Sequence, residues 1–271
     1  MSLAVVKPAI AALKKFPDAS SQRTDEVLHG MQVEILETVS SRWCKVRTWY
    51  RYEGYLPLQA LQLGNVACLW NKLPKKVVCR PYCDLLIHPD LKSRRLLSLT
   101  RGALVYPSGR QCMDGWRKIS LCDGREGYIK DSCLQPPAAF CQEEEESFRQ
   151  DVVRTALGYL GVQYRWGGKT PLGIDCSGLC SMSYLLNGFV IYRDAKLVPG
   201  FPLHQIPPRQ AKPGDLIFFP GHMAMYLGGG RMVHSTAKEG SDGVVISSLL
   251  PGHPDYRADL AEQVVCFASI F

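Results

Sequence analysis

The sequence contains no uninterrupted apolar stretch of about 18 residues, the length that spans a bilayer, so no membrane span is expected. Its first residues, MSLAVVKPAIAALKKFP, are interrupted by Lys7 and Pro8 and lack the basic, apolar, small order of an export signal. A cytoplasmic location is therefore expected. There is no long Lys/Arg run. The net charge of +7 is diffuse, with 21 basic and 16 acidic side chains in residues 1–146 and 11 and 9 in residues 147–271. Without a basic stripe interleaved with aromatics, nucleic-acid binding has little support, although attraction of a small anion is compatible with the charge. Cys79 and Cys83 have knuckle-like spacing, yet no second pair with ligand spacing follows them. No metal or other cofactor is expected.

Cysteine, by contrast, is abundant: 11 residues, an odd number. In a chain without an export signal the default is reduced thiols. Most lie in apolar settings, as Cys266 does in QVVCFASIF, and read as small buried hydrophobes. At 271 residues the chain suits one large domain or two to three small ones.

Residues 1–68 read as a small β domain, with MQVEILETV and WCKVRTW alternating like strands and YEGYLP as a turn into a last strand. Residues 74–136 read the same way. The two segments share a weak repeat: GMQVEILE with RGALVYPS, SRWCKVRTW with DGWRKISL, and YEGYLPLQALQ with REGYIKDSCLQ. A period of roughly 70 residues indicates two copies of one small barrel. QPPAAFCQEEEES gives a solvated linker, placed at 137–147, or the acidic first turn of a helix. From 148 a third domain begins and runs to 271. Phe148, Val152, Val153, Ala156, Leu157 and Leu160 share a helical face, and a second helix starts at Cys176, with Leu179, Met182, Leu185 and Leu186 in helical spacing. KPGDLIFFP, HMAMYLGGG, RMVHSTA, GVVISSL and EQVVCFASIF follow as strands, an α+β order.

Cys176 follows Asp175 at a helix start, where unpaired amides favour a thiolate. Asp175 also suits a helix N-cap. A thiol nucleophile needs a proton acceptor. Of the six histidines, His222 and His234 are set apart by the MAMYLGGGRMV between them. A hairpin centred on Gly228 places 222 opposite 234, on one face, with Cβ atoms about 4.5–5.5 Å apart. A one-residue slip would separate them.

YRWGG, DCSGL, GDLIFF, HMAMYLG and RMVHS, in that order across 147–271, resemble the NlpC-type cell-wall peptidases, which are papain-like cysteine peptidases. The repeats ahead of them resemble bacterial SH3-like domains. The resemblance thus implies two all-β SH3-like barrels followed by an α+β papain-like catalytic domain. With the SSLLPGHPDYRADL tail, the chain is similar to a subgroup of γ-D-glutamyl-L-diamino-acid endopeptidases. That likeness implies Cys176 as nucleophile, His222 as general base and His234 as its orienting residue, with Tyr164 at the oxyanion site. It further implies Asp175, Ser177 and Trp166 as substrate contacts. In the first barrel it implies an acid and a tyrosine holding a free L-Ala amine, best matched by Glu26 and by Tyr52, with Tyr55 as its rival. One departure is KLVPG after IYRDA, where the family often has Ser or Asp and then Gln; Lys196 alters that loop.

The expected reaction is hydrolysis of the γ-D-Glu bond to meso-diaminopimelate or L-lysine in murein peptides with free N-terminal L-Ala, in wall-peptide recycling by a monomer. The competing readings are an inactive wall-binding protein and an amidase or acyltransferase on the same fold.

Overall fold

The computed structural model describes residues 2–111 and 113–271, and of residues 110, 111 and 113 only the backbone. It divides into two compact units, the first ending at Pro137 and the second running from Ala138 to Phe271.

The first unit holds two seven-stranded sheets. Numbering each sheet's strands from one to seven along the chain, both have the order 3-2-6-5-4-1-7. The repeat in the sequence is thus a repeat in topology. The matching stretches EGYLP (Glu53–Pro57) and EGYIK (Glu126–Lys130) have the same burial pattern. Each is followed by one 3-10 turn, Leu58–Ala60 or Asp131–Cys133, and a two-residue strand. Trp43–Thr48 alternates as expected, with Cys44, Val46 and Thr48 turned inward.

The two sheets share a small core of Val5, Ala67, Trp70 and Cys122. Trp70 Nε1 donates to Gly30 O at 3.0 Å, and the Leu104 amide donates to His29 O at 2.9 Å. Trp70 and Ala67 belong to a helix, Gly64–Lys72, that periodicity did not reveal. It has no capping side chain, and it buries Ala67 and Trp70 while exposing Leu69.

The second unit is the expected α+β arrangement. Its six-stranded antiparallel sheet runs, edge to edge, His204–Ile206, Cys266–Ser269, Leu216–Phe219, His222–Gly228, Arg231–Thr236 and Gly243–Ser248. Helices Glu145–Leu157 and Cys176–Leu185 cover one face. Val152, Ala156, Leu179 and Tyr184 pack there on Leu216, Met225 and Val233. The GDLIFF motif has a structural role in this packing. Asp215, buried at the strand entry, accepts from Arg149 Nη1 at 2.7 Å, and Arg149 also donates to Pro213 O and Ser269 Oγ. A charge this far from water is stable only when paired, so the contact ties the first helix to the sheet.

Among the described residues no helix is long and apolar enough to cross a membrane. The ten described cysteines are free thiols; Cys112 lies outside the described residues.

Candidate active site

Asp175 caps the helix that Cys176 begins. Its Oδ1 accepts the Gly178 amide at 2.6 Å and its Oδ2 the Gly167 amide at 2.7 Å. Arg193, only 2% exposed, completes the arrangement. It donates to both Asp175 oxygens at 3.0 and 3.1 Å, to Ser177 Oγ at 2.8 Å and to Gly168 O at 3.1 Å. One buried ion pair therefore joins the YRWGG turn, the helix start and the segment after it. The glycine of DCSG is explained by contact: a Cβ on Gly178 would lie 2.2 Å from Gly168 O.

Cys176 is buried at this helix end. The sequence reading expects the helix dipole to favour the thiolate. Burial overrides it, pushing the thiol up to about 11, and the Asp175 charge adds to the rise. The backbone at Met223 and Ser177 and the Arg193 charge oppose the shift without cancelling it.

The hairpin differs from its expected register. Met225 faces Val233, Tyr226 faces Met232, and Gly228 faces Arg231, with a bulge between Tyr226 and Gly228. Continued along the strands, this register places Ala224, not His222, opposite His234. The cause lies at the tip, where Gly229 and Gly230 both have positive φ, 57° and 73°. Such a pair forms a two-residue turn beyond Gly228, not one centred on it. That turn alone would send His222 and His234 to opposite faces. The bulge absorbs one residue and restores the parity. The two imidazoles are then diagonal neighbours, with His222 Nε2 2.9 Å from His234 Nδ1.

His234 Nε2 meets Ser247 Oγ at 3.0 Å, a partner that the sequence reading missed because it lies on the next strand. Burial, then the Arg257 charge, holds His222 down at about 4. Burial, then the His222 and Arg257 charges, holds His234 at about 3. Burial thus favours the uncharged form of all three groups. With Nε2 of His222 engaged by His234, Nδ1 is its other ring nitrogen.

Tyr164 is half-buried and bridges to Ile174, next to Asp175. Burial and the neighbouring Cys176 and Asp175 charges raise its hydroxyl pKa, so it stays a neutral donor. Trp166 is 60% exposed. Ser177 is buried, its hydroxyl engaged by Arg193 and Asp175. Lys196 lies over the Tyr192 ring, 5.3 Å from its centroid.

In the first unit Glu26 is buried and meets Arg23 at 3.2 Å. Tyr52 and Tyr55 are partly exposed, and Tyr55 pairs with Lys14 and Lys45 across its strand. Neighbouring Asp25 and Tyr50, passed over in the sequence, are buried and hydrogen-bonded to each other.

The profile of the NlpC/P60 family matches residues 161–258. Along its whole length the chain is 41% identical to a protein named dipeptidyl-peptidase 6 from Lysinibacillus sphaericus, covering 99% of both. The chain belongs to the NlpC/P60 family. This family is one of cysteine peptidases, so the chain is an NlpC/P60 cysteine peptidase. A γ-D-glutamyl-L-lysine dipeptidyl-peptidase of Bacillus subtilis is 33% identical over 167 residues, which cover 57% of this chain and 51% of that one. A crystal structure of an NlpC/P60 family protein from Bacillus cereus shares the fold, with a TM-score of 0.77, 20% identity and 98% of each chain covered.

Proposed function

We propose that this NlpC/P60 peptidase hydrolyses the γ-D-glutamyl bond to L-lysine or meso-diaminopimelate in short murein peptides that begin with a free L-Ala. The observation that carries this reading is the His222–His234 hydrogen bond of 2.9 Å, in the same unit as Cys176 at its capped helix start. The names of the relatives supply the bond, and the paired sheets of the first unit are read as SH3-like barrels.

In this mechanism Cys176 Sγ attacks the γ-carbonyl carbon as its proton passes to His222. His234, held by Ser247, keeps the His222 ring in place. The oxyanion is met by the Cys176 amide and the Tyr164 hydroxyl. Collapse expels the diamino acid's amine, which takes its proton from His222, and leaves a thioester on Cys176. Water, deprotonated by His222, then attacks the thioester and frees L-Ala-D-Glu. Because thiol and imidazole both start neutral, proton transfer accompanies attack. Glu26 with Tyr52 or Tyr55 are the residues we assign, from the subgroup resemblance, to the L-Ala amine. A short free peptide as substrate fits a cytoplasmic recycling role.

Incubation with L-Ala-γ-D-Glu-L-Lys and its meso-diaminopimelate analogue, read by mass spectrometry, tests the reading. Release of L-Ala-D-Glu from either is the expected result; intact peptides, or cleavage at L-Ala, would refute it. Acetylating the substrate amine is expected to reduce the rate sharply.

A further inference from the structure

Arg257 lies in the SSLLPGHPDYRADL tail, to which no chemical role is assigned above, and its surroundings are unusual. Its side chain is only 11% exposed. Nε and Nη2 are fixed on Asp259 at 2.8 and 2.7 Å, and Asp259 is also within 3.5 Å of Lys238 Nζ. Nη1 is buried and has no hydrogen-bond partner among the described residues. A buried, unpaired donor on a cation is costly and rare, and a catalytic or ligand-binding role is one reason for it to persist.

The position of Arg257 indicates which ligand. Its amide donates to Ser248 O at 2.9 Å, next to Ser247, which holds His234. Its charge acts on both His222 and His234. In the proposed reaction the departing amine takes its proton from His222, so the leaving diamino acid lies on the imidazole side of Cys176. Its α-carboxylate is attached to the carbon that bears the departing nitrogen, and so arrives within a few ångströms of His222.

We infer that Arg257 is a specificity-determining residue whose free Nη1 donor binds the α-carboxylate of the leaving diamino acid. The inference rests on the reaction proposed above. It makes the enzyme selective for substrates that end at the diamino acid, because a longer stem peptide converts that carboxylate to a neutral amide. Asp259 is the positioning residue: it holds the Nε and Nη2 edge of the guanidinium and leaves Nη1 for substrate.

The test compares L-Ala-γ-D-Glu-L-Lys with its C-terminal carboxamide. A charge-assisted hydrogen bond corresponds to roughly a 10- to 100-fold difference in kcat/KM. Wild type is expected to prefer the free acid by that factor. Arg257→Gln should lose the preference by slowing the acid alone, and Arg257→Lys should retain part of it. Should either variant fail to fold, product inhibition of wild type decides: L-lysine should compete with substrate and L-lysinamide should not. Equal turnover of acid and amide by wild type, equal inhibition by the two products, or an equal loss on both substrates in Arg257→Gln would overturn the assignment while leaving the reaction standing. Failure of wild type to cleave either peptide would overturn the reaction itself and the assignment with it.

Discussion

His222 and His234 share a hydrogen bond of 2.9 Å although neither stands directly opposite the other across the hairpin. Two features of opposite effect produce this: a glycine turn that shifts the register by three residues from a 222–234 pairing and a bulge that takes one residue back. The contact is therefore sensitive to the number of residues between the two histidines, more than to their identity.

Deleting Ala224, on the histidine side of the bulge, should put His222 and His234 on opposite sheet faces and lower kcat/KM by about 10²–10⁴, comparable with the loss of a positioned base. Circular dichroism should remain that of a folded sheet. A folded deletion variant with full activity would show that the parity does not matter.

The pH dependence of Cys176 alkylation follows from a thiol raised to about 11 by burial. Only the thiolate reacts, so its fraction grows about tenfold per unit below that value. The iodoacetamide rate at Cys176, followed by mass spectrometry, should climb from about pH 7 to about pH 10 without a neutral plateau. A plateau beginning below about pH 6 would point instead to a resting thiolate–imidazolium pair.

Acid stability should reflect the two buried imidazoles. Their folded values, about 4 and about 3, lie below the ordinary 6.5. The unfolded chain therefore takes up protons first as pH falls. Their contribution is fully present above 6.5 and is lost progressively as pH drops toward the folded values. A His222→Gln, His234→Gln double variant should show a flatter melting temperature across that window than wild type. An identical slope would assign the acid sensitivity elsewhere.

Arg193→Leu leaves Asp175 buried without its ion-pair partner. Breaking such a pair from one side typically costs about 3–5 kcal/mol. Thermal unfolding should reveal that loss, and activity should fall too, because Asp175 caps the helix that presents Cys176. A variant of wild-type stability would show that the Arg193 fork is dispensable.

The sequence was most legible where one residue type permits one arrangement. The Asp-Cys-Ser-Gly run marked a helix start, strand alternation marked the sheets, and the repeated EGY segments foretold two sheets of one topology. It was least legible where partners come from distant strands. Arg193 in IYRDA carries no spacing signal that points to Asp175, and Ser247 reaches His234 only because their strands are neighbours. The hairpin register was misread by two residues because a run of three glycines does not say which pair forms the turn. The helix start speaks for a thiolate at Cys176, whereas burial, which no local motif encodes, pushes the thiol up.

The core shared by Val5, Ala67, Trp70 and Cys122 has a consequence for how the first unit is inherited. Each sheet lends side chains to a seam that the other needs, and the helix between them supplies the tryptophan. A gene segment carrying one repeat alone would expose that seam to water. The tandem is therefore the smallest piece that recombination can exchange intact, although the sequence repeat is only half as long.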